Sequence, residues 1–325
     1  MSLRYPESIE VVEVGPRDGL QSLPRVVPTA DKLRMIELIA DAGFRTIEVT
    51  ALVRPDVVPQ LADADKLLAR LPRRDGLTYR ALVANRRGAE RAVGSGLDQV
   101  LGLVSCSEAY SLRNQGMSVQ RSLEEIRAAH DICVTHDIGF TAGIALAFFC
   151  PYEGETPLHR PLAIADQLVA NGIDRLYVAA SMGMADPAHV HRLCSAILDR
   201  HPRLSLGLHL HDTNGMALAN ALAAMDAGVR WLEGSICGIG GGIAMPASML
   251  EIGNVASEDL VSMLEAMGIH TGVDVSVLHH VGWEIAELLD IEPRGRFLRA
   301  GTKDDLLARD GALPVRRRGA KPVRR

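Results

Sequence analysis

The sequence predicts an α/β protein built as a single (β/α)8 barrel, the TIM-barrel class, with a C-terminal helical extension and a basic tail. Three observations carry that expectation. Short β-branched or apolar runs recur at intervals of roughly 30 residues, amphipathic stretches with helical spacing fill the intervals, and several of those stretches stop at a glycine just before the next run. Alternating strand and helix units build a parallel sheet, and eight of them close it on itself.

The first run, Glu10–Gly15, leads into the turn Gly15-Pro16-Arg17-Asp18-Gly19-Leu20-Gln21. That turn lacks the GxGxxG spacing of a dinucleotide loop, which argues against an open doubly wound sheet. Ala30–Ala42 follows with helical spacing and stops at Gly43, where a left-handed cap ends a helix. Thr46–Ala51, Thr78–Val83 and Gln99–Ser105 read as the next strands, with the helical stretches Ala62–Arg70 and Gly88–Gly96 between them. Gly139–Phe148, Arg175–Ser181, Leu204–Asp212 and Trp231–Gly238 complete the set, alternating with Ser122–Thr135, Leu158–Asn171, Pro187–Arg200 and Ala217–Gly228 as crossover helices. Ser257–Gly268 and Val275–Asp290 read as further helices packed outside or under the barrel. From about Pro293 periodicity gives way to charge, so the catalytic domain is expected over residues 1–293 and a partly disordered extension over 294–325.

Composition narrows the function classes. The chain has 325 residues, 47% of them hydrophobic, and one barrel of roughly 250 residues with appendages accounts for that length. A formal charge of -5 offers no general attraction to nucleic acid or anionic lipid, and the basic tail from Val315 to Arg325 reads as a solvated end. The five cysteines are scattered without CxxC spacing, which excludes a disulfide framework or zinc ribbon and fits a reducing cytoplasm. The N-terminus lacks the charged and apolar regions of a signal peptide, and no run of about 18 apolar residues offers a membrane span. A cytoplasmic protein acting on a small molecule is expected.

In such a barrel, functional groups come from the carboxyl ends of the strands. Arg17 and Asp18 follow the first strand, Glu48 ends the second, Ser105 and Glu108 end the fourth, and His209, His211 and Asp212 end the seventh. The two histidines alternate with Leu208 and Leu210, so both imidazoles point to one side of the strand. With Asp18 across the closed barrel they make a set of one carboxylate and two imidazoles that suits Mg2+ or Mn2+ and leaves room for a chelating substrate. Asn254, after the glycine-rich stretch Cys237–Met245, can add an amide oxygen as a fourth hard ligand. Arg17 is a fixed cation able to hold an enolate oxygen, and an ion pair with Glu48 or Asp212 would orient it. Four glycines within Gly238–Gly242 mark either a lid over the barrel mouth or a plain connection.

Gly15-Pro16-Arg17-Asp18-Gly19-Leu20-Gln21, Ile47-Glu48-Val49-Thr50, Cys150-Pro151-Tyr152-Glu153-Gly154, and Leu208-His209-Leu210-His211-Asp212-Thr213 together resemble the hydroxymethylglutaryl-CoA lyases of the DRE-TIM metallolyases. The resemblance runs from about Ile9 to Leu289. It implies retro-Claisen cleavage of a 3-hydroxy-3-methylacyl-CoA to acetyl-CoA and a keto acid. It also implies Asp18, His209, His211 and Asn254 as metal ligands, Arg17 as enolate stabiliser with catalytic roles for Asp18, Glu48 and His209, and Gln21, Ser105 and Ser181 at the substrate. A homodimer is a further expectation from the family. Two departures stand out: Gly242 occupies the place of the family's proton-transferring cysteine, and Ala180 that of a sixth-strand aspartate. Cys237 is a thiol nearby in sequence. Three alternatives therefore stay open: a relative with another hydroxy-acid substrate, a Claisen-type acyltransferase, and a non-catalytic metal- and ligand-binding paralogue.

Overall fold

In the computed structural model, which describes residues 5–241 and 253–308, eight parallel strands pair in sequence order and close into a barrel. They are β1 (Glu10–Glu13), β2 (Thr46–Ala51), β3 (Thr78–Val83), β4 (Gln99–Ser105), β5 (Gly139–Ala145), β6 (Arg175–Ala180), β7 (Ser205–Leu210) and β8 (Trp231–Gly234). The ring closes at β1, which pairs with β8 along its length and with β2 through Glu13 and Ile47. The expected (β/α)8 class holds.

Strands β2, β3 and β4 have the limits their sequence suggests, while β5 and β8 stop early for local reasons. Leu146 takes a left-handed φ of 55° after β5, and the chain then forms a small hairpin of Phe149–Cys150 with Gly154–Glu155. After β8, Ile236–Gly238 folds into a tight turn with Cys237 at φ 60°. In β2 the register slips between Glu48 and Thr50, a bulge that leaves Glu48 opposite Arg80 of β3.

The crossover helices are α1 (Thr29–Asp41), α2 (Ala64–Leu68), α3 (Arg86–Ala92), α4 (Glu108–Asn114), α5 (Val119–Thr135), α6 (His159–Ala170), α7 (Pro187–Arg200) and α8 (Ala217–Asp226). Helix α4 goes beyond the sequence expectation; Ser107 caps it by accepting the Tyr110 N–H at 3.1 Å. The main core lies between barrel and helices, where outward residues such as Ile144, Val178 and Leu208 meet Ile126, Leu168 and Ile197. The helices α9 (Ser257–Ala266), α10 (Val275–Leu289), α11 (Arg296–Ala300) and α12 (Lys303–Ala308) follow. The extension expected after Pro293 begins as packed structure: Phe297 and Leu298 are buried in that core, and Asp259 accepts the Arg296 and Phe297 N–H groups at 2.9 and 2.7 Å. Among the described residues no helix is long and apolar enough to cross a membrane.

Inside the barrel a second cluster holds Val12, Val14, Leu101, Tyr177, Ala179 and Trp231. The Tyr177 and Trp231 rings meet edge to face at 5.7 Å. They fit because Gly143 and Gly207 offer no side chain where those rings lie. Alongside sit Glu13, Glu48, Arg80 and Glu233, each fully buried. Buried charges are tolerable only when paired, and the pairing of Glu48, Arg80 and Glu233 builds the site.

Candidate metal centre

One wide turn, Gly15–Gly19, lifts Asp18 to the barrel mouth. The Val14 carbonyl accepts the N–H groups of Arg17, Asp18 and Gly19, and the Glu13 carboxylate accepts the Gly15 N–H at 2.6 Å. Glu13 also accepts the Ile236 N–H at 2.9 Å, so it ties the turn to the end of β8 and does not reach substrate space.

Asp18, His209 and His211 come together as the spacing predicts, with one ligand atom from each within 4.8 Å of the others. His209 Nδ1 meets the Glu233 carboxylate at 2.8 Å. With that nitrogen as donor, Nε2 keeps its lone pair for the site. His211 Nε2 lies 3.1 Å from His209 Nε2 and 3.8 Å from Asp18 Oδ2. Burial, with His209 beside it, pushes His211 down to about 3, so its ring is neutral. Burial works to raise the Asp18 carboxyl, but the Arg17 guanidinium beside it, with a hydrogen bond from Asn254, outweighs it and holds it at about 2. Asn254 donates its amide N–H to Asp18 Oδ2 at 2.7 Å, and its buried Oδ1 has no partner among the described residues. A carboxylate, two imidazoles and an orphaned amide oxygen are a donor set that fits a divalent cation.

Behind these groups runs a chain of ion pairs. Arg17 pairs with Asp18 and with Glu48; Glu48 pairs with Arg80; Arg80 pairs with Glu233; Glu233 holds His209. Burial opposes the charge on Glu233, yet Arg80 and His209 hold its carboxyl at about 2. Glu48, expected among the catalytic groups, therefore orients Arg17 from below and does not line the cavity, and Asp212 plays no part in holding Arg17.

The cavity above has a volume of about 690 Å³ and is lined by Arg17, Asp18, Gln21, Tyr177, His209 and His211, among others. Gln21 donates to Asp18 Oδ1 at 2.8 Å. Ser181 also lines the cavity, its hydroxyl accepting the Leu146 N–H at 3.0 Å. Ser105, expected at the substrate, does not line it; its hydroxyl is turned back to accept the Ser107 N–H at 3.1 Å. Ala180 packs outward into the main core, whereas Ala179 faces the cavity. Gly242 lies outside the described residues. Cys237 cannot stand in for a thiol there, since it is fully buried and its Sγ contacts the Gly282 carbonyl at 3.3 Å.

Sequence reasoning missed Arg80, Tyr177 and Glu233. The signal was a charge inside an otherwise apolar strand, as in Thr78-Tyr79-Arg80-Ala81-Leu82-Val83 and Trp231-Leu232-Glu233-Gly234, which a buried strand admits only with a partner.

Comparison with known proteins agrees with this geometry. The HMGL-like family model matches residues 8–285. The mitochondrial hydroxymethylglutaryl-CoA lyase of Mus musculus is 33% identical over 298 residues, covering 92% of this chain and 91% of that protein. The Bacillus subtilis hydroxymethylglutaryl-CoA lyase YngG is 36% identical over 274 residues, 84% of this chain and 91% of that protein. Among solved structures, the Bacillus subtilis HMG-CoA lyase superposes with a TM-score of 0.87 at 34% identity, covering 91% of this chain and 98% of that one. An HMG-CoA lyase from Acinetobacter baumannii, in complex with coenzyme A and 3-methylmalate, gives a TM-score of 0.87 at 31% identity, covering 94% and 98%. A barrel that gathers Asp18, His209 and His211 at its mouth and matches these proteins along most of its length belongs to the HMGL-like family and is an enzyme, a carbon-carbon lyase.

Proposed function

We propose that this lyase is divalent-metal-dependent and cleaves a 3-hydroxy-3-methylacyl-CoA, HMG-CoA or a close analogue, to acetyl-CoA and a keto acid. The observation that carries the reading is the Asp18, His209 and His211 group beside Arg17 in one cavity. Asp18, His209, His211 and Asn254 are the residues to hold Mg2+ or Mn2+, which when bound supplies a Lewis acid for the tertiary hydroxyl. Arg17, held by Glu48 and Asp18, presents a fixed cation to the oxygen that gains charge as the carbon-carbon bond breaks. Gln21 keeps the Asp18 carboxylate in place. Leu82, Leu103, Ala145 and Ala179 line the same cavity and limit water there. Arg54, Arg87, Arg91 and Arg113 add positive charge to its lining, a match for the phosphates of a coenzyme A. The relative from Acinetobacter baumannii in complex with coenzyme A and 3-methylmalate supports a ligand of this kind.

The departures at Gly242 and Ala180 do not touch the proposed ligand set. No cysteine lines the cavity among the described residues. The test is release of acetyl-CoA from HMG-CoA by protein loaded with Mn2+ or Mg2+. Product should appear only with the metal and vanish in Asp18→Asn and His211→Ala. Metal-loaded protein that forms no product from a panel of 3-hydroxyacyl-CoA thioesters would sink the proposal.

A further inference from the structure

We infer that Tyr177 determines the specificity of this site: its hydroxyl donates a hydrogen bond to an oxygen of the bound hydroxy acid, and its ring limits the group that fits beside the two histidines. The inference rests on the hydroxy-acid lyase reading and adds a residue to it.

Tyr177 sits in the middle of β6, 2% exposed, and lines the same cavity as Arg17, Asp18, His209 and His211. Three surfaces fix its ring. It stacks on the His209 imidazole with centroids 5.6 Å apart and 29° between the planes, it meets Trp231 edge on, and it lies over Gly143, where an added Cβ would fall 2.6 Å from the hydroxyl oxygen. A ring so held has little freedom to swing away from an incoming ligand. Its bulk therefore sets a wall of the space next to the histidines.

The hydroxyl has no hydrogen-bond partner among the described residues. The acidic groups around the barrel axis are committed elsewhere, Glu48 to Arg17 and Arg80, Glu233 to Arg80 and His209. The phenol oxygen is open to the cavity, where the acceptor oxygens of a bound ligand can reach it. A phenol titrates near 10 in water, so at neutral pH this group is a donor. An acceptor is what it lacks, and a hydroxy acid chelated by the neighbouring donor set would bring carboxyl and hydroxyl oxygens to the same cavity.

The test is calorimetry with 3-hydroxy-3-methylglutarate and Mn2+, on the unaltered protein, Tyr177→Phe and Tyr177→Ala. Tyr177→Phe keeps the ring and its stacking on His209 and removes only the donor. Its affinity for the acid should fall about tenfold or more, the scale of a hydrogen bond to a charged group, with Mn2+ affinity unchanged. Tyr177→Ala should shift preference toward the 3-ethyl homologue of the acid. Acid binding by Tyr177→Phe within about twofold of the unaltered protein, or no change of preference in Tyr177→Ala, would overturn the inference. The two readings fail separately: an unaltered protein that binds the acid with Mn2+ but cleaves no thioester sinks the lyase reading alone, while unchanged acid binding by the variants of an active enzyme sinks this one alone.

Discussion

Glu233 touches no cavity space, yet it decides how His209 meets a ligand, because it accepts one ring N–H and is itself anchored by Arg80. Removing its charge leaves the imidazole free to turn or change tautomer. Glu233→Gln should weaken Mn2+ binding about 10–100-fold, measured by calorimetry, and unchanged affinity would show that His209 needs no such anchor. Arg17 is expected to act on the charge that develops during cleavage, so Arg17→Met should lower kcat by about 10²–10³-fold with a smaller effect on KM. The pair of histidines was legible in the sequence because the period of a strand places both on one face. Glu233 and Tyr177 were not, because their partner is fixed by register: His209 lies opposite Glu233 only once β7 and β8 are aligned. Ser105 was placed correctly at a strand end, but the local bond from the Ser107 N–H to its hydroxyl oxygen is fixed by the turn into α4 and not by strand period.

Between residue and barrel, the junction of β1, the turn after β8 and α9 holds two acids in apolar surroundings. Burial raises Glu13 to about 7, against hydrogen bonds from Ser257, Ile236 and Gly15. Burial likewise raises Glu258 to about 8, with Asp259 and Glu13 adding to it. At these two sites the folded chain keeps protons that the unfolded chain gives up, so the contribution of Glu13 and Glu258 to stability falls as pH rises from about 5 to about 8. Glu258→Gln should flatten that fall by up to about 1.4 kcal/mol per pH unit, followed by urea unfolding at several pH values. An identical slope in the variant would place the ionised form in the folded state. At the start of α10, Asp274 accepts the Ser276 and Val277 N–H groups at 2.8 and 3.0 Å, and Asp274→Ala should cost about 0.5–2 kcal/mol in the same assay. Element identities were legible where glycine or Asp punctuated a clean apolar run, as at β2 to β4. Element ends were lost where the backbone turned left-handed at non-glycine residues, Leu146 and Cys237, which no propensity announces.

Across the molecule, the barrel and its C-terminal helices behave as one packed body. Phe297 lies past the point where periodicity fades, yet Phe297→Ala should cost about 3–5 kcal/mol, because the ring is buried against the main core. A cation held by Asp18, His209 and His211 binds only the folded barrel, so Mn2+ at a hundredfold over its Kd should add about 2.7 kcal/mol and raise Tm by several degrees, reversibly with a chelator and not in Asp18→Asn. The chain of ion pairs beneath those ligands has an electrical consequence. Two guanidiniums, Arg17 and Arg80, face three carboxylates, Asp18, Glu48 and Glu233, an excess of one negative charge among these five side chains that a dication would reverse. A dication bound there would add its attraction for an anionic acid to that of the arginines lining the cavity. The proposed cation should therefore favour binding of the acid, and the two affinities must reinforce each other by the same factor.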